Sequence, residues 1–265
     1  MKFCYFQHQG KPEAGLVETV AGKESITRLL AALPGFGADD ESRGSRGIPP
    51  IALNEAELLA PAKPSKIVCV GRNYRDHAAE LGNEVPKEPL LFLKPPSALI
   101  GSGGTIVRPK ISERTDYEGE LGIVIAKRCH KLAPSEDVRQ YILGYTIVND
   151  FTARDLQRID SQWTRGKGHD TFCPVGPIVT DEIDPWAGIA VETHVNGALK
   201  QHGNTRDFIF SIETILRYIT AFMTLMPGDL IPTGTPAGVG AAVAGDVIEV
   251  SIAGIGVLRN TVADE

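Results

Sequence analysis

Three carboxylates stand where they could share one metal ion. Glu118 and Glu120 flank Gly119 at the start of an apolar run, and Asp150 closes a second apolar run. Residues i and i+2 of a β-strand point to the same face, so Glu118 and Glu120 would project together. Like charges at that distance repel, and a carboxylate at a buried strand end is costly without a partner. A bound divalent cation would compensate all three groups.

The chemical type of these side chains narrows the choice of ion. All three are oxygen donors, with no clear histidine or cysteine partner. Hard oxygen ligands favour Mg²⁺ over zinc, with Mn²⁺ and Ca²⁺ as alternatives, and three protein ligands leave positions open for water and a chelating substrate. A Glu-x-Glu pair also occurs on solvated edge strands that bind nothing, so the pattern alone leaves that alternative open.

Buried β-strands are predicted to position these side chains. Segments 66–71, 120–127 and 141–150 are short apolar runs of the kind found in buried strands. Segment 190–197 alternates and then turns at Asn196-Gly197, a strong hairpin signal. Two further strands are predicted in 245–262. The sequence therefore indicates an α+β fold, mostly β, without the regular βαβ repeat of Rossmann or barrel proteins.

Helices are fewer, and the first sixty residues differ from the rest. A helix is predicted over 211–225, capped by Ser211 and ended by Pro227-Gly228, and a shorter one over 25–33, capped by Ser25. A hairpin turn is predicted at Gly10-Lys11-Pro12. We interpret 1–60 as a small N-terminal α/β domain and 61–265 as a catalytic domain.

Composition limits the partners and the compartment. The 265 residues are 42% hydrophobic and 23% charged, with a formal net charge of −6 and no basic run, which disfavours nucleic acid. No stretch reaches the roughly 20 apolar residues that span a bilayer, and the N-terminus lacks the apolar run of a signal peptide. The four cysteines have no CxxC spacing, which indicates buried thiols in a reducing compartment. We therefore expect a cytoplasmic protein that does not bind membranes.

Seven sequence blocks around these residues resemble one known family. They are VGRNYRDHAAELG (70–82), FLKPPSALIG (92–101), DYEGELGIVI (116–125), NDFTARDLQ (149–157), KGHDTFCPVGP (167–177), VNGALKQHGNT (195–205) and GDLIPTGTPAGVG (228–240). In this order they resemble the fumarylacetoacetate hydrolase family, in its bacterial branch of acylpyruvases and hydroxyhepta-diene-dioate isomerases. The resemblance runs from about Pro64 to the C-terminus.

This resemblance implies a fold, a cofactor and a class of reaction. The fold would be a mixed β-sandwich roll, usually in a homodimer, with Mg²⁺ or Mn²⁺ held by Glu118, Glu120 and Asp150. The reaction would be hydrolysis of a carbon–carbon bond in a 2,4-dioxo acid of the acylpyruvate or fumarylpyruvate type, through a metal-chelated enolate. Members of the family serve in aromatic catabolism.

The family also implies catalytic residues at matching positions. Hydrolysis needs a base, and His77, with an ordinary pKa of about 6.5, suits proton transfer at neutral pH. Glu80 lies within one helical turn of His77 and could fix its tautomer. Lys167 would stabilise a developing enolate oxygen or a substrate carboxylate. Taken without the family, an exposed His followed by Glu and a lysine between glycines are both common on protein surfaces.

Substrate contacts are expected from five further residues. Arg154 and Gln157 would share one face of a helical turn after Asp150, although Arg154 could instead form a structural salt bridge. Thr235 could offer its hydroxyl and its loop amides to the substrate carboxylate. Arg72 and Tyr74 are expected near the substrate because they precede His77 closely.

Two other functions remain open at this point. The same scaffold could decarboxylate oxaloacetate, or isomerise and decarboxylate 2-hydroxyhepta-2,4-diene-1,7-dioate. The pair His77 and Glu80 favours hydrolysis, because water attack needs a base, but would also serve proton transfer in the alternatives. A non-enzymatic metal-binding or interaction protein is disfavoured by the presence of all three carboxylates together with His77 and Lys167.

Overall fold

The N-terminal segment is built from antiparallel strands. The structure, a computed structural model, describes residues 1–34, 45–76 and 85–265. Its first strands are β1 (Lys2–His8), β2 (Lys11–Val20), β3 (Lys23–Leu30), β4 (Arg46–Ala52) and β5 (Leu58–Leu59). The turn between β1 and β2 has positive φ at Gln9 (51°) and Gly10 (77°), a conformation that glycine adopts without strain. The predicted hairpin is confirmed.

The helix predicted over 25–33 is wrong, and with it the α/β character of the first sixty residues. Residues 25–30 of this segment belong to β3, and the register of β3 against both neighbouring strands is interrupted by irregularities. A bulge changes which residues share a face, so Ile26 and Leu29 are both buried although they are three positions apart. That spacing imitates a helix. Up to residue 60, the described residues contain only strands and one 3₁₀ turn, Leu53–Glu55.

A twelve-stranded sheet forms the centre of the molecule. Its further strands are β6 (Ile67–Gly71), β7 (Leu90–Lys94), β8 (Leu99–Ile100), β11 (Gly119–Ile125), β12 (Ile142–Asn149), β14 (Cys173–Thr180) and β17 (Leu230–Pro232). The order is β4-β3-β2-β1-β14-β12-β11-β17-β6-β7, with β5 on β1 and β8 on β14. The N-terminal strands extend the central sheet because β1 pairs with β14. The domain division at residue 60 stays a prediction.

Two smaller sheets account for the other β-strands of the described residues. The five-stranded sheet has the order β16-β15-β19-β20-β9 and contains β9 (Thr105–Arg108), β15 (Ala190–Val195), β16 (Ala198–Asn204), β19 (Val247–Ile252) and β20 (Gly256–Asp264). The three-stranded sheet contains β10 (Thr115–Tyr117), β13 (Thr152–Ala153) and β18 (Gly240–Ala242). Asn196 and Gly197 have positive φ in the turn between β15 and β16, as the sequence predicted.

Three α-helices occur among the described residues: α1 (Arg154–Ile159), α2 (Thr164–Lys167) and α3 (Ile212–Phe222). Helix α3 confirms the longer helix prediction, and the Ser211 hydroxyl accepts a hydrogen bond from the Thr214 N–H. It ends three residues before the predicted end because Leu225 exchanges backbone hydrogen bonds with Cys129, which requires extended backbone. No helix in the described part of the chain is long and apolar enough to cross a membrane.

The core lies between the twelve-stranded and five-stranded sheets. One continuous cluster of buried side chains includes Leu121 and Ile147 from the large sheet with Val191, Val250 and Leu258 from the smaller one. Strand β11 is buried along its whole length, so its ends are fixed by packing on both faces. The predicted mostly β sandwich is confirmed.

Candidate metal centre

The three predicted carboxylates converge at the ends of β11 and β12. Glu118 lies between β10 and β11, Glu120 is the second residue of β11, and Asp150 directly follows β12. These two strands are antiparallel, and the Asp150 N–H donates to the Glu118 carbonyl at 2.8 Å. One carboxylate oxygen from each residue lies within 4.8 Å of the others, and all three side chains are buried.

Gly119 allows the two glutamates to sit under the second sheet. A Cβ atom at this position would lie 2.2 Å from the Thr193 hydroxyl oxygen and 2.9 Å from a methyl carbon of Val250. Both contacts are far inside ordinary packing distance. The backbone between the two carboxylates can therefore approach the five-stranded sheet only because residue 119 has no side chain.

Lys167 links two of the carboxylates. Its ammonium lies 2.8 Å from Glu118 Oε2 and 2.6 Å from Asp150 Oδ2, and the side chain is buried at the end of α2. Burial disfavours the charged ammonium, but Asp150 and Glu118 outweigh it and raise the pKa of Lys167. The lysine therefore stays a cation beside the acids, where the family resemblance predicted it.

Arg154 is held by two acids. It forms ion pairs with Glu118 through one terminal nitrogen and with Asp116 through Nε, the latter at 2.8 Å. Its other terminal nitrogen donates to Gln157 Oε1 at 2.5 Å across one turn of α1, which confirms that Arg154 and Gln157 share a helical face. The structural salt bridge that the sequence left open is present.

Lys94 is a member of the cluster to which the sequence assigned no role. It lies at the end of β7, it is 1% exposed, and its ammonium lies 2.5 Å from Asp150 Oδ1 and 3.0 Å from the Phe151 carbonyl. Its signal was a lysine that closes the apolar run Leu91–Phe92–Leu93 just before Pro95. A lysine in such a run has to find an acid once it is buried.

The electrostatics of Glu120 show why the group suits a cation. Burial, followed by the charges of Asp150 and Glu118, raises the pKa of Glu120 well above its ordinary value, although Lys167 and the Gly234 N–H act in the opposite direction. The described protein groups therefore do not fully stabilise the charged form of Glu120, and a bound cation would do so. Three buried oxygen donors of this kind fit Mg²⁺, Mn²⁺ or Ca²⁺ better than zinc. All four cysteines are buried and unpaired, outside this group.

A cleft opens beside the carboxylates and contains most of the predicted substrate residues. Arg72, Arg154, Gln157 and Thr235 line it together with the three acids and Lys167. Its wall also includes Phe92 and Trp163, whose rings pack edge to face at 5.2 Å. These two aromatic residues had no role in the sequence prediction.

Arg72 differs from the other two cations that line the cleft. Arg154 and Lys167 are both paired with acids, whereas Arg72 makes no side-chain hydrogen bond or ion pair within the described ranges 1–34, 45–76 and 85–265. Its φ of 57° places a non-glycine residue in the left-handed region, a conformation that is uncommon for residues with a side chain. Among the described residues, its guanidinium is therefore the one cation of the cleft without an acidic partner.

The remaining predicted residues have different outcomes. Tyr74 is buried and does not line the cleft. Its hydroxyl has no hydrogen-bond partner among the described residues, and burial, followed by the charge of Glu120, raises its pKa. Thr235 lines the cleft, but its hydroxyl already donates to the Gly119 carbonyl at 2.9 Å. His77 and Glu80 lie outside the described residues.

Comparison with known proteins places the chain among enzymes. A family model described as Fumarylacetoacetate (FAA) hydrolase C-terminal matches residues 66–263, a range that contains all three carboxylates and Lys167. The chain is 37% identical, over its whole length and 96% of the other protein, to 2,4-didehydro-3-deoxy-L-rhamnonate hydrolase of Sphingomonas sp. (strain SKA58). It is 43% identical to the oxaloacetate tautomerase YisK of Bacillus subtilis (strain 168), over 80% of this chain and 74% of that one.

A solved structure agrees with the whole fold. The 2-hydroxyhepta-2,4-diene-1,7-dioate isomerase from Mycobacterium marinum superimposes with a TM-score of 0.86 and 41% sequence identity. The match covers 100% of this chain and 99% of that one, so it extends over the N-terminal strands of this chain as well as over the part that contains the carboxylates.

Proposed function

Because the chain belongs to the fumarylacetoacetate hydrolase family, we propose that it is a Mg²⁺-dependent hydrolase that cleaves a carbon–carbon bond in a 2,4-dioxo acid of the acylpyruvate or fumarylpyruvate type. The observation that carries this proposal is the group of three buried carboxylates beside a buried lysine in a cleft. A divalent ion bound there would supply Lewis acidity toward the carboxylate and keto oxygens of a 2-oxo acid.

The reaction balances with water as the second substrate. Water adds to the carbonyl at C4, the C3–C4 bond breaks, and its electron pair remains on C3 as the enolate of pyruvate. The proton removed from water is returned at C3, so the products are a carboxylic acid and pyruvate. In this scheme Lys167, whose raised pKa keeps it charged, stabilises the oxygen on which negative charge develops.

The proton carrier in this proposal is His77, oriented by Glu80. Its support is the family motif and the chemistry of imidazole near neutral pH. Gln157 accepts from Arg154 through Oε1, and no described residue accepts from its amide N–H groups, so these can donate to a ligand in the cleft. Arg154 keeps Glu118 oriented through their ion pair.

A second candidate is favoured by the relatives. Two relatives, at 41% and 43% identity, are named as an isomerase and a tautomerase. Reactions of these two types transfer a proton and do not use water to break a bond. Decarboxylation of an oxaloacetate-like acid would likewise leave an enolate beside Lys167. These reactions share the carboxylates and the lysine, and they differ from hydrolysis in needing no attacking water.

A substrate panel separates the candidates. With Mg²⁺ we expect the protein to consume acetylpyruvate or fumarylpyruvate and to release one pyruvate for each substrate molecule. The pyruvate is measured by coupling its formation to a second enzyme that reduces it. Because a general base contributes roughly 10²–10⁴-fold, His77→Ala should slow this hydrolysis by that factor, whereas His202→Ala, at an exposed position, should not. Turnover of only oxaloacetate or a hydroxy-diene dioate would contradict hydrolysis and support the second candidate.

Arg72 lines the cleft and has no side-chain partner among the described residues, which leads to a separate expectation. A hydrogen bond to a charged group contributes about 1.5–3 kcal/mol, so Arg72→Met should raise KM for an anionic substrate roughly 10–100-fold with a smaller change in kcat. Arg75→Met, at an exposed position three residues later, is the matched control. Unchanged KM in steady-state kinetics of the Arg72 variant would remove this residue from the substrate site.

A further inference from the structure

Gln201 connects the two main sheets at the candidate metal centre. It lies on β16 of the five-stranded sheet and is 1% exposed. Its Oε1 accepts from the Gly119 N–H at 3.0 Å, and its Nε2 donates to the Thr235 hydroxyl at 2.8 Å and the Pro236 carbonyl at 2.9 Å. The opposite orientation would face N–H groups toward the Gly119 N–H and oxygen toward the Pro236 carbonyl, so these partners fix the amide.

Thr235 completes the contact from the other side. Its hydroxyl accepts from Gln201 and donates to the Gly119 carbonyl at 2.9 Å. Both backbone polar groups of Gly119 are therefore satisfied by one pair of side chains. The preceding residue of the same loop, Gly234, donates its N–H to Glu120 Oε2 at 2.8 Å.

The sheet itself leaves these Gly119 groups without a ladder partner. Strand β17 pairs with β11 only at Gly122, Ile123 and Val124. In an antiparallel strand the N–H and C=O of one residue point to the same side. The N–H and C=O of Gly119 face the side of β17, but β17 does not extend as far as Gly119. A buried backbone group without a partner would cost free energy, so these two groups need partners from outside the sheet.

We propose that Gln201, acting with Thr235, is a positioning residue that fixes the peptide units on both sides of Gly119 and so sets the separation of Glu118 and Glu120. The proposal rests on the metal site of the proposed function. It assigns to Thr235 a supporting role through its hydroxyl, in place of direct donation to a substrate carboxylate. It also makes metal binding depend on the position of the five-stranded sheet, because Gln201 belongs to that sheet.

The test measures Mn²⁺ binding to the full chain by calorimetry. Partners that orient metal ligands typically contribute 10–100-fold in affinity, so Gln201→Met, which keeps the length and loses all three hydrogen bonds, should weaken Mn²⁺ binding by roughly that factor. The control is His202→Ala, the exposed next residue on the same strand. Hydrogen exchange of the Gly119 amide should accelerate in the Gln201 variant and not in the control.

Thr235 provides an independent arm that needs no change at Gln201. Thr235→Val removes the hydroxyl and should weaken Mn²⁺ binding, whereas Thr235→Ser keeps it and should restore the affinity. The double variant of Gln201→Met and Thr235→Val should be less impaired than the product of the two single effects, because both act on Gly119. This arm decides the question if Gln201→Met does not fold.

The outcomes separate this inference from the proposed function. Wild-type affinity in Gln201→Met, even with a lowered melting temperature, would make Gln201 merely structural and overturn the proposal. Equal affinity in Thr235→Val and Thr235→Ser would overturn it as well. If the wild-type chain bound no Mn²⁺, the metal site of the proposed function would be refuted, and the role of Gln201 in metal binding with it. Faster exchange of the Gly119 amide in the variant would then show only that Gln201 protects this amide.

Discussion

Glu120→Gln is expected to abolish measurable binding of Mg²⁺ or Mn²⁺ and, with it, activity. The change keeps the shape and an acceptor for the Gly234 N–H, but it removes one of three anionic ligands. We expect the affinity to fall by at least about 100-fold, beyond the 10–100-fold typical of groups that only orient a ligand. Calorimetry with Mn²⁺ on purified protein measures this directly.

The same variant should not lose stability in the presence of a chelator. Because burial and the neighbouring acids raise the pKa of Glu120, its charged form is unfavourable in the folded chain, and a neutral amide removes that cost. The melting temperature without metal should therefore stay the same or rise. The control is Glu113→Gln, the same substitution at an exposed glutamate just before β10. Wild-type Mn²⁺ affinity in Glu120→Gln would refute the assignment of this ligand.

Of the substitutions proposed here, Lys94→Met is expected to lower the free energy of unfolding the most. It removes a buried cation from Asp150 and a donor from the Phe151 carbonyl while keeping an apolar stem of similar length. Breaking a buried ion pair typically costs 3–5 kcal/mol, because the remaining charge is left without compensation. The free energy of unfolding from denaturant titration should fall by about that amount, whereas Lys87→Met, at an exposed position, should leave it unchanged.

A second substitution tests the cause of this loss. If the unpaired charge of Asp150 is responsible, Asp150→Asn in the Lys94→Met background should restore part of the stability, even though it removes a predicted metal ligand. A loss below about 1 kcal/mol in Lys94→Met would mean that Lys167 alone compensates Asp150. A double variant less stable than Lys94→Met would also contradict this explanation.

The carboxylates could be predicted because their arrangement follows from local rules. Alternation of side chains along extended backbone places Glu118 and Glu120 together, and Asp150 directly follows the strand that pairs with β11. Helix α3 and the turn at Asn196-Gly197 were predicted for the same reason, since capping and turn residues act over a few positions. That Asp150 shares a metal with the two glutamates was implied by the family resemblance, not by periodicity.

The supporting residues could not be predicted, because their roles depend on distant pairings. Lys94 reaches Asp150 only through the position of β7 at the sheet edge, and Gln201 reaches Gly119 only because the two sheets pack at this point. Asp116 stands at the start of one sequence motif, and its ion pair with Arg154 depends on the fold. The error over 25–33 has a similar origin, since a bulge depends on both partner strands.

The position of Glu118 between two strands affects which size of ion the proposed site prefers. Tyr117 before it belongs to the three-stranded sheet, whereas Gly119 after it belongs to the twelve-stranded sheet that carries the other two carboxylates. Oxygen distances to Mg²⁺ are about 2.0–2.1 Å and those to Ca²⁺ about 2.3–2.6 Å, a difference of only a few tenths of an ångström. Substitutions far from the cleft that shift one sheet against the other should therefore change which alkaline-earth ion the protein prefers.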